Sequence, residues 1–324
     1  MKNKKNIIIA VIIAAVVLVV SLITYNILTD DNKLTAGENS WINKNINTIQ
    51  NVNVVNDVNI FGNTGSGVFY EFINDLELEY KLQINPVTFN MEETVSGLTL
   101  GVKNSLGNND KVFYVDHYVL VSKKDEIVAS YDDFANKKIG VIKSDVAYIT
   151  SYLNNISELN LTSYDKKEDL LDALSKAKDI EYMIVPLTVY LDEILTQNYY
   201  IVNHMSDVKF YYTLSGNKND TLYRIINKFY NNWYGDNLDE YFKREEFKLF
   251  INAMQISETE VDAMQSVTYK YGFINNSPYE VIMSGNYGGI VAMYLDEFGM
   301  FSKIEFNYKK YSNLNKFKKA IKNG

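Results

Sequence analysis

The chain of 324 residues contains no cysteine, and this absence excludes several kinds of site at once. Disulfides, thiolate zinc sites and a cysteine nucleophile all require the missing side chain. A bacterial lipoprotein anchor is excluded as well, because the lipid of such an anchor is attached to an N-terminal cysteine. The sequence therefore offers neither covalent cross-links nor thiol chemistry.

Histidine and catalytic motifs are also scarce. Only His117 and His204 occur, and the sequence contains no H-E-x-x-H motif, no G-x-S-x-G motif and no carboxylate pair with a recognisable spacing. The glycine-rich stretch 62–67 lacks the lysine and hydroxyl residue of a phosphate-binding loop, because Val68 follows Gly67. We therefore expect a tight turn there, and we expect no enzyme activity, no cofactor and no metal ion.

Basic residues are fewer than acidic ones. The chain has 32 basic and 40 acidic residues, which gives a net charge of −8 and a pI near 5.0. This balance argues against a nucleic-acid-binding protein, which normally presents a clustered basic face. Apolar residues make up 47% of the chain, enough at this length to bury the cores of about two domains.

Residues 7–28 form an almost uninterrupted apolar run, with lysines before it and Asp30 and Asp31 after it. At about 1.5 Å per residue the run reaches roughly 33 Å, enough to cross a bilayer core. Because positive charge stays on the cytoplasmic side, the pattern predicts a transmembrane helix with residues 1–6 in the cytoplasm and the bulk of the chain outside. A cleaved signal peptide is disfavoured, since no small-x-small site follows. The predicted localisation is a single-pass protein of the cell membrane.

Polar residues dominate from 29 to 50, which predicts a stalk or linker. Residues 52–61 then alternate apolar and polar side chains, as a strand does. Apolar residues recur at helical spacing over 68–80, and residues 82–89 predict another strand. Together these patterns predict a β-turn-α-β unit.

The stretch 118–147 has the order of a strand that leaves one lobe and opens another. Its parts are a β-rich run (118–122), an amphipathic segment (131–135), a second β run (138–142) and a helix start at Ser144 or Asp145. Residues 133–141, DFANKKIGV, are similar to the "DL.GKK.GV" segment of the extracellular solute-binding proteins of family 3, the type II periplasmic-binding fold. This resemblance implies an α/β fold of two lobes that close on a ligand, a Venus flytrap domain.

Downstream patterns suit the same fold. They predict strands at 159–164, 182–185 and 209–215, and helices at 149–156, 167–176, 221–230 and 238–250.

The resemblance implies that the turn after the first strand, the hinge and the first helix of lobe two line the ligand groove. The candidate ligand-binding residues are Phe61, Gly65, Ser66, His117, Tyr118, Ser144 and Asp145. For His117 a role in hinge packing alone stays open. A helix N-terminus favours an anion, but Asp145 as N-cap satisfies the same N–H groups and repels one. We therefore expect a neutral or cationic ligand.

Two departures from the amino-acid-binding members argue against ordinary amino-acid binding. Those members pair the ligand carboxylate with the arginine of a Thr-x-x-x-Arg motif in lobe one, a task that lysine performs poorly. Here the first arginine is Arg224. The family also ends the strand corresponding to 182–185 near an aspartate that binds the ligand amino group, and here Pro186 follows instead.

The pattern of the first domain starts again near the C-terminus. Residues 269–273 predict a strand, and a shift of 222 positions places Gly67 on Gly289. Because such a repeat indicates tandem domains, we predict a solute-binding-like bilobed domain over 51–265 and the start of a second, incomplete one over 266–324. The alternative, a tail that folds onto the first domain, stays open.

The leading hypothesis is a membrane-anchored extracellular sensor module that closes its lobes on a small molecule. Its expected partners are that ligand, the membrane and a cytoplasmic output domain elsewhere in a longer protein, but no nucleic acid. Closure would follow the difference in ligand affinity between open and closed forms. Two alternatives stay open: an anchored receptor that feeds an ABC importer, with a permease as partner, and a degenerate fold used for protein contacts.

Overall fold

The computed structural model describes residues 32–177 and 179–323. The first part of the chain contains α1 (Ala36–Asn45), β1 (Ile49–Val55), β2 (Asp57–Val58), β3 (Gly62–Asn63), α2 (Val68–Tyr80), β4 (Gln83–Phe89), β5 (Thr99–Lys103) and β6 (Lys111–Ser122). The middle contains β7 (Lys138–Ile142), α3 (Val146–Leu153), β8 (Asn160–Tyr164), α4 (Lys167–Lys176), β9 (Tyr182–Pro186), α5 (Leu187–Thr196) and β10 (Tyr200–Ser215). The last part contains α6 (Thr221–Ala253), α7 (Glu258–Gln265), β11 (Tyr269–Ile274), β12 (Val281–Met283), β13 (Asn286–Gly288), α8 (Ile290–Ser302), β14 (Phe306–Tyr311) and α9 (Leu314–Lys322).

Eight strands form one hydrogen-bonded sheet in the order β4-β1-β5-β10-β6-β9-β7-β8. At one end β1 runs parallel to β4 and β5, and at the other β7 runs parallel to β8 and β9. The long strands β6 and β10 pair antiparallel with each other between these two groups. The group β4-β1-β5 belongs to lobe one and the group β9-β7-β8 to lobe two, and both lobes share the two long strands.

The hinge lies where β10 carries extra residues opposite β6. Tyr118 pairs with Met205 and His117 with Lys209, so residues 206–208 have no counterpart on β6. A bulge of this kind bends a strand and increases its twist. The hinge therefore falls at the start of the stretch 118–147 that predicted the crossover, although the predicted strands 118–122 and 209–215 cover only one half of each long strand.

Helix α2 confirms the predicted helix 68–80, and its N-terminus depends on one glycine. Gly67 has a φ of +105°, and a Cβ there would lie 2.7 Å from the carbonyl carbon of Phe61. Only a residue without a side chain lets the helix begin this close to the preceding turn. Phe69, Phe72 and Leu76 are buried on its inner face and tie it to the core of lobe one.

The predicted helices 221–230 and 238–250 are parts of one helix, α6. Gly235 lies between them, but at that position a Cβ would meet nothing within 4 Å, and Trp233 just before it is buried. Packing on both sides carries the helix through the glycine, which would cost only about 1 kcal/mol relative to alanine. The indole of Trp233 and the hydroxyl of Tyr241 donate to Asp75 of α2, at 2.8 and 2.9 Å. Helix α6 contacts α5 of lobe two, and Leu249 and Phe250 of its last turns line one groove with Leu191 and Leu195 of α5.

The C-terminal elements follow one another in the same order as those that open lobe one. Strand β11 pairs in parallel with β14, with the hairpin β12-β13 and helix α8 between them. Helices α2 and α8 both have 13 residues, and each follows a glycine with positive φ, Gly67 or Gly289. Each also ends at a lysine in the left-handed region, Lys81 or Lys303.

Part of the stretch 29–50, predicted as a linker, is helical. Helix α1 begins with a capping box formed by Thr35 and Glu38, and Lys228 of α6 lies 2.8 Å from the Glu38 carboxylate. Ile42 is buried against the same domain. These contacts attach α1 to the bilobed part of the chain.

The prediction of a transmembrane helix is not supported by the described residues. Within 32–177 and 179–323 no helix combines the length and apolar character needed to cross a membrane. The longest one there, α6, has 33 residues but carries charged side chains along its length, including Arg224 and Glu245. The predicted span 7–28 lies outside the described residues. The described residues support the bilobed α/β part of the predicted fold class, and they support neither the membrane helix nor the single-pass membrane localisation.

Candidate functional site

A groove of about 730 Å³ lies between the two lobes. The carboxyl ends of the parallel strands β1, β4 and β8 lead into it, as is common for ligand crevices of open α/β sheets. Lobe one contributes Asn56, Asp57, Asn59, Asn63, Asn90, Glu92 and Glu93 to its lining, and lobe two contributes Asp165, Lys166, Lys167, Glu168, Leu171 and Glu193.

Negative charge dominates this groove. Six of the lining residues are acidic and two are lysines. Burial raises the pKa of Asp57, and the neighbouring charge of Glu92 raises it further, while hydrogen bonds from the Met91 N–H at 2.9 and 3.0 Å oppose the shift. A positive group in the groove would stabilise the ionised carboxylates.

Lys167 is held on the lobe-two wall of the groove. Its Nζ lies 2.8 Å from Glu193 Oε1, donates to the backbone carbonyl of Val189 at 3.0 Å, and sits 4.7 Å from the ring centre of Tyr190. The side chains of Lys167 and Glu193 are 18% and 23% exposed. Lys167 and Glu193 thus form a largely buried ion pair at the edge of the groove.

Asp145 lies at the N-terminus of α3, on the lobe-two side of the hinge. Burial raises its pKa to about 6, Glu92 of lobe one adds to the rise, and the hydroxyls of Tyr118 and Ser144 lower it. The buried Tyr118 hydroxyl faces Asp145 without a hydrogen bond of normal geometry. With a pKa of about 6, the Asp145 carboxyl of lobe two is sensitive to the charge of Glu92 in lobe one.

A buried carboxylate ties the hinge to α5. Asp116 on β6 accepts hydrogen bonds from the backbone N–H groups of His117 and Thr188, each at 2.8 Å, and from the Thr188 hydroxyl. That hydroxyl also lies 2.8 Å from the hydroxyl of Tyr212 on β10. Burial raises the pKa of Asp116, and these donors oppose the rise. The network fixes the start of α5 to both hinge strands.

The seven predicted ligand-binding residues do not form one surface. Phe61 is fully buried, and its ring stacks on Tyr212 with 3.9 Å between centroids. Gly65 and Ser66 are exposed in the turn between β3 and α2, and Ser66 lies near α6 rather than in the groove lining. Ser144 is exposed beside Asp145, whereas Tyr118 is fully buried.

His117, the remaining predicted residue, is half-buried at the hinge. Its Nε2 lies 3.0 Å from the Nζ of Lys209, which also donates to the carbonyl of Ser206 in the bulge. This contact suits the hinge-packing role that the sequence left open. Contact of these seven residues with a ligand stays a prediction.

The sequence patterns did not identify the charged residues that line the groove. Asp57 follows β1 closely and Lys167 follows β8, so their positions at the carboxyl ends of strands are a signal that could have found them. Glu193 lies inside α5, and Asp116 and Thr188 lie in apolar surroundings, where no local pattern marks them. Within the described ranges no cluster of three or more acidic or histidine side chains could hold a metal ion.

Two lobes joined by two continuous strands and separated by a polar groove define a bilobed α/β domain of the Venus flytrap type, so the predicted two-lobed fold is confirmed. No protein-family model matches the chain, and no curated protein matches it. Solved structures do match. The periplasmic domain of BvgS from B. pertussis is 14% identical, with a TM-score of 0.50 over 90% of this chain and 62% of its own length.

Two further matches each cover 65% of this chain. The VFT2 domain of BvgS from Bordetella pertussis is 12% identical, with a TM-score of 0.52 over 65% of this chain and 98% of its own. AbpA of Streptococcus pneumoniae, an amino acid ABC transporter substrate-binding protein solved with L-arginine, is 15% identical with the same TM-score, 0.52, over 65% and 98%. At these identities the likeness shows the fold alone. The chain spans about three fifths of the length of the BvgS periplasmic domain, 62%.

Proposed function

We propose that the chain is a ligand-binding sensor module whose lobes close on a small organic cation. The observation that carries this proposal is the groove between the lobes, whose lining contains six carboxylates and only two lysines. The structural similarity to AbpA, which was solved with L-arginine bound, supports a small molecule as the ligand of such a groove. The groove is large enough for a ligand of that size.

The distribution of the carboxylates explains how a cation would drive closure. Asp57 and Glu92 belong to lobe one and Glu168 belongs to lobe two, where Glu193 is already paired with Lys167. Closing the lobes without a ligand brings like charges together in a region of low dielectric, which opposes closure. A cation between them replaces this repulsion by attraction, so it binds the closed form more tightly and shifts the population towards it.

A matched set of four-carbon compounds tests the charge requirement on the purified chain. We expect 1,4-diaminobutane to raise the melting temperature and to give a binding isotherm by calorimetry, whereas 1,4-butanediol and succinate do neither. Asp57→Asn and Glu92→Gln should each weaken binding by on the order of tenfold, while Asp239→Asn, at an exposed carboxylate of α6, should not. An equal response to butanediol, or no response to any organic cation, would count against the proposal.

We also propose that residues 266–324 repeat the unit that opens the domain over 51–265. The shared order of elements, the equal lengths of α2 and α8, and the glycine and lysine that bound each helix support this repeat. In a sensor of this layout the second unit would receive the movement of the first, since α6 contacts both lobe two and α8.

A second candidate function, protein contact without a ligand, is favoured by one observation. Ile290, Met293 and Tyr294 of α8 are large apolar residues that lie more than half exposed. In this candidate function the exposed face of α8 binds another polypeptide. Sedimentation velocity checks its simplest form: a concentration-dependent dimer that Met293→Glu converts to monomer supports it, and a monomer at all concentrations speaks against it.

A further inference from the structure

The lobe-two wall of the groove holds the ammonium group of Lys167 in contacts that a free amine could make equally well. The three partners are the Glu193 carboxylate at 2.8 Å, the Val189 carbonyl at 3.0 Å and the Tyr190 ring face at 4.7 Å. An ammonium group has three N–H donors and is attracted to the face of an aromatic ring. We call Val189, Tyr190 and Glu193 the ammonium cage.

One helix carries the whole ammonium cage, whereas its occupant comes from another helix. Val189, Tyr190 and Glu193 all belong to α5, and Lys167 is the first residue of α4. Val189 and Tyr190 are fully buried, and the hydrogen bonds of Thr188 to Asp116 fix the start of α5. Removing the Lys167 side chain would therefore leave the cage in place.

The ammonium cage opens to the groove. Lys167 and Glu193 both belong to the groove lining. Glu193 also has unused capacity, because its second carboxylate oxygen is buried and accepts no hydrogen bond. A buried carboxylate oxygen without a donor is costly. An untethered ammonium group has the same three N–H donors as Lys167 but can orient them freely, so it would gain from contact with this oxygen.

We propose that the ammonium cage is a binding site for primary alkylammonium groups and that the chain occupies it with its own Lys167. This inference rests on the proposed use of the groove as a ligand site. A ligand amine must displace Lys167 to reach Glu193, so Lys167 sets the affinity of lobe two for amines. A ligand cation that leaves Lys167 in place meets Asp57 and Glu92 of lobe one instead.

Removal of the tethered occupant tests the site directly. In Lys167→Ala, n-butylammonium should bind on the order of tenfold more tightly than in the wild-type chain, measured by calorimetry and by the shift in melting temperature. Tetramethylammonium carries the same charge but no N–H donor, and it should not show this gain. Lys167→Ala/Glu193→Gln should lose the gain, because the carboxylate is gone.

A matched control separates the site from an ordinary ion pair. Lys176 lies on the same helix, and its Nζ is 2.6 Å from Asp172 in a pair whose side chains are both more than half exposed. Lys176→Ala should not acquire affinity for n-butylammonium. Equal binding in the two alanine variants, or equal binding of tetramethylammonium, would overturn the proposal.

The experiment stays decisive if Lys167→Ala is unfolded when isolated. Recovery of the circular dichroism of the folded chain with n-butylammonium, but not with tetramethylammonium, supports the site, and no recovery overturns it. The outcome is independent of diaminobutane binding by the wild-type chain. Diaminobutane binding by the wild-type chain tests the proposed function, whereas n-butylammonium binding by Lys167→Ala tests the ammonium cage. One of these proposals can therefore be refuted while the other stands.

Discussion

The unit that opens lobe one and the unit near the C-terminus share a local plan but differ in burial. A shift of 222 positions superposes α2 on α8, residue for residue. Val68 is fully buried and its counterpart Ile290 is 54% exposed, while Phe72 is 1% exposed and its counterpart Tyr294 is 68% exposed. The same local structure therefore forms with and without a surrounding core.

The cover of α2 comes from elements distant in sequence. The ring of Phe72 packs against Phe113 of β6 and against Phe229 and Trp233 of α6, with centroid distances of 5.1 to 5.2 Å. Strand β1 also has neighbours on both edges, β4 and β5. In the described part of the C-terminal unit, β11 pairs only with β14. A helix such as α2 or α8 therefore forms from contacts between neighbouring residues. Burial of its apolar face also requires the other strands and helices of a lobe.

The two units should differ most in the loss of stability caused by alanine at Phe72 and at its counterpart Tyr294. Phe72→Ala should lower the free energy of unfolding by about 3–5 kcal/mol, because it leaves a cavity among packed rings. Tyr294→Ala should change it by less than about 0.5 kcal/mol. Urea unfolding monitored by tryptophan fluorescence suits the test, since Trp41 and Trp233 both lie outside the C-terminal unit. Similar losses for the two variants would show that α8 is covered in solution.

Alanine should be poorly accommodated at both of the glycines that precede the two helices. Only the substitution at Gly67 should lower the global stability. A Cβ would lie 2.7 Å from the Phe61 carbonyl carbon at Gly67 and 2.5 Å from the Tyr279 carbonyl oxygen at Gly289, and both residues have positive φ. Gly67→Ala should cost on the order of 3 kcal/mol of global stability. Gly289→Ala should leave the fluorescence transition unchanged.

Hydrogen exchange followed by mass spectrometry supplies the second readout for the glycine pair. Gly289→Ala should speed amide exchange over residues 286–311, and Gly67→Ala should speed it throughout the bilobed part of the chain. Faster exchange in lobe one of the Gly289 variant would mean that the two units unfold together.

A smaller difference is expected at Asp75 and its counterpart Glu297. Asp75 accepts hydrogen bonds from Trp233 and Tyr241, so Asp75→Ala should cost about 1–3 kcal/mol by leaving two partly buried donors unpaired. Glu297 lies at the edge of a wide groove beside Leu191 and Lys243. Glu297→Ala should stay within about 0.5 kcal/mol in the same urea experiment. A large loss at Glu297 would assign it a contact equivalent to that of Asp75.

The smallest expected effect is the same in both units. Lys81 and Lys303 each end a helix in the left-handed region, with φ of 54° and 57°. Glycine at either position should stabilise its helix end by about 0.5–1 kcal/mol, because it adopts this conformation without a steric cost. Slower exchange of the last turn of α2 in Lys81→Gly and of α8 in Lys303→Gly would confirm it, and destabilisation by either glycine would contradict it.

Elements with strong local periodicity were predictable from the sequence. The predictions 68–80, 138–142 and 167–176 coincide with α2, β7 and α4. Less of the long strands was predictable, because their hinge residues pack in both lobes and follow no single alternation. Helix α6 was predicted as two helices, since only its tertiary contacts carry it through the glycine between them.

The candidate site was far less predictable than the fold. The sequence favoured a neutral or cationic ligand from Asp145 alone. The carboxylates that make up the groove, Asp57 of lobe one and Glu193 of lobe two, are 136 positions apart in the chain. No local pattern brings them together, because their proximity depends on the bend of β6 and β10.

The amino-acid sequence was sufficient to predict local elements such as α2, β7 and α4, and to exclude thiol chemistry. These features depend on hydrogen bonds and side-chain spacing within a few residues. Long-range packing is what buries Phe61 and Tyr118, holds Lys167 in the ammonium cage, and covers α2 while leaving α8 exposed. Burial and charge are set by residues distant in the chain, which meet only when the two lobes pack on their shared strands.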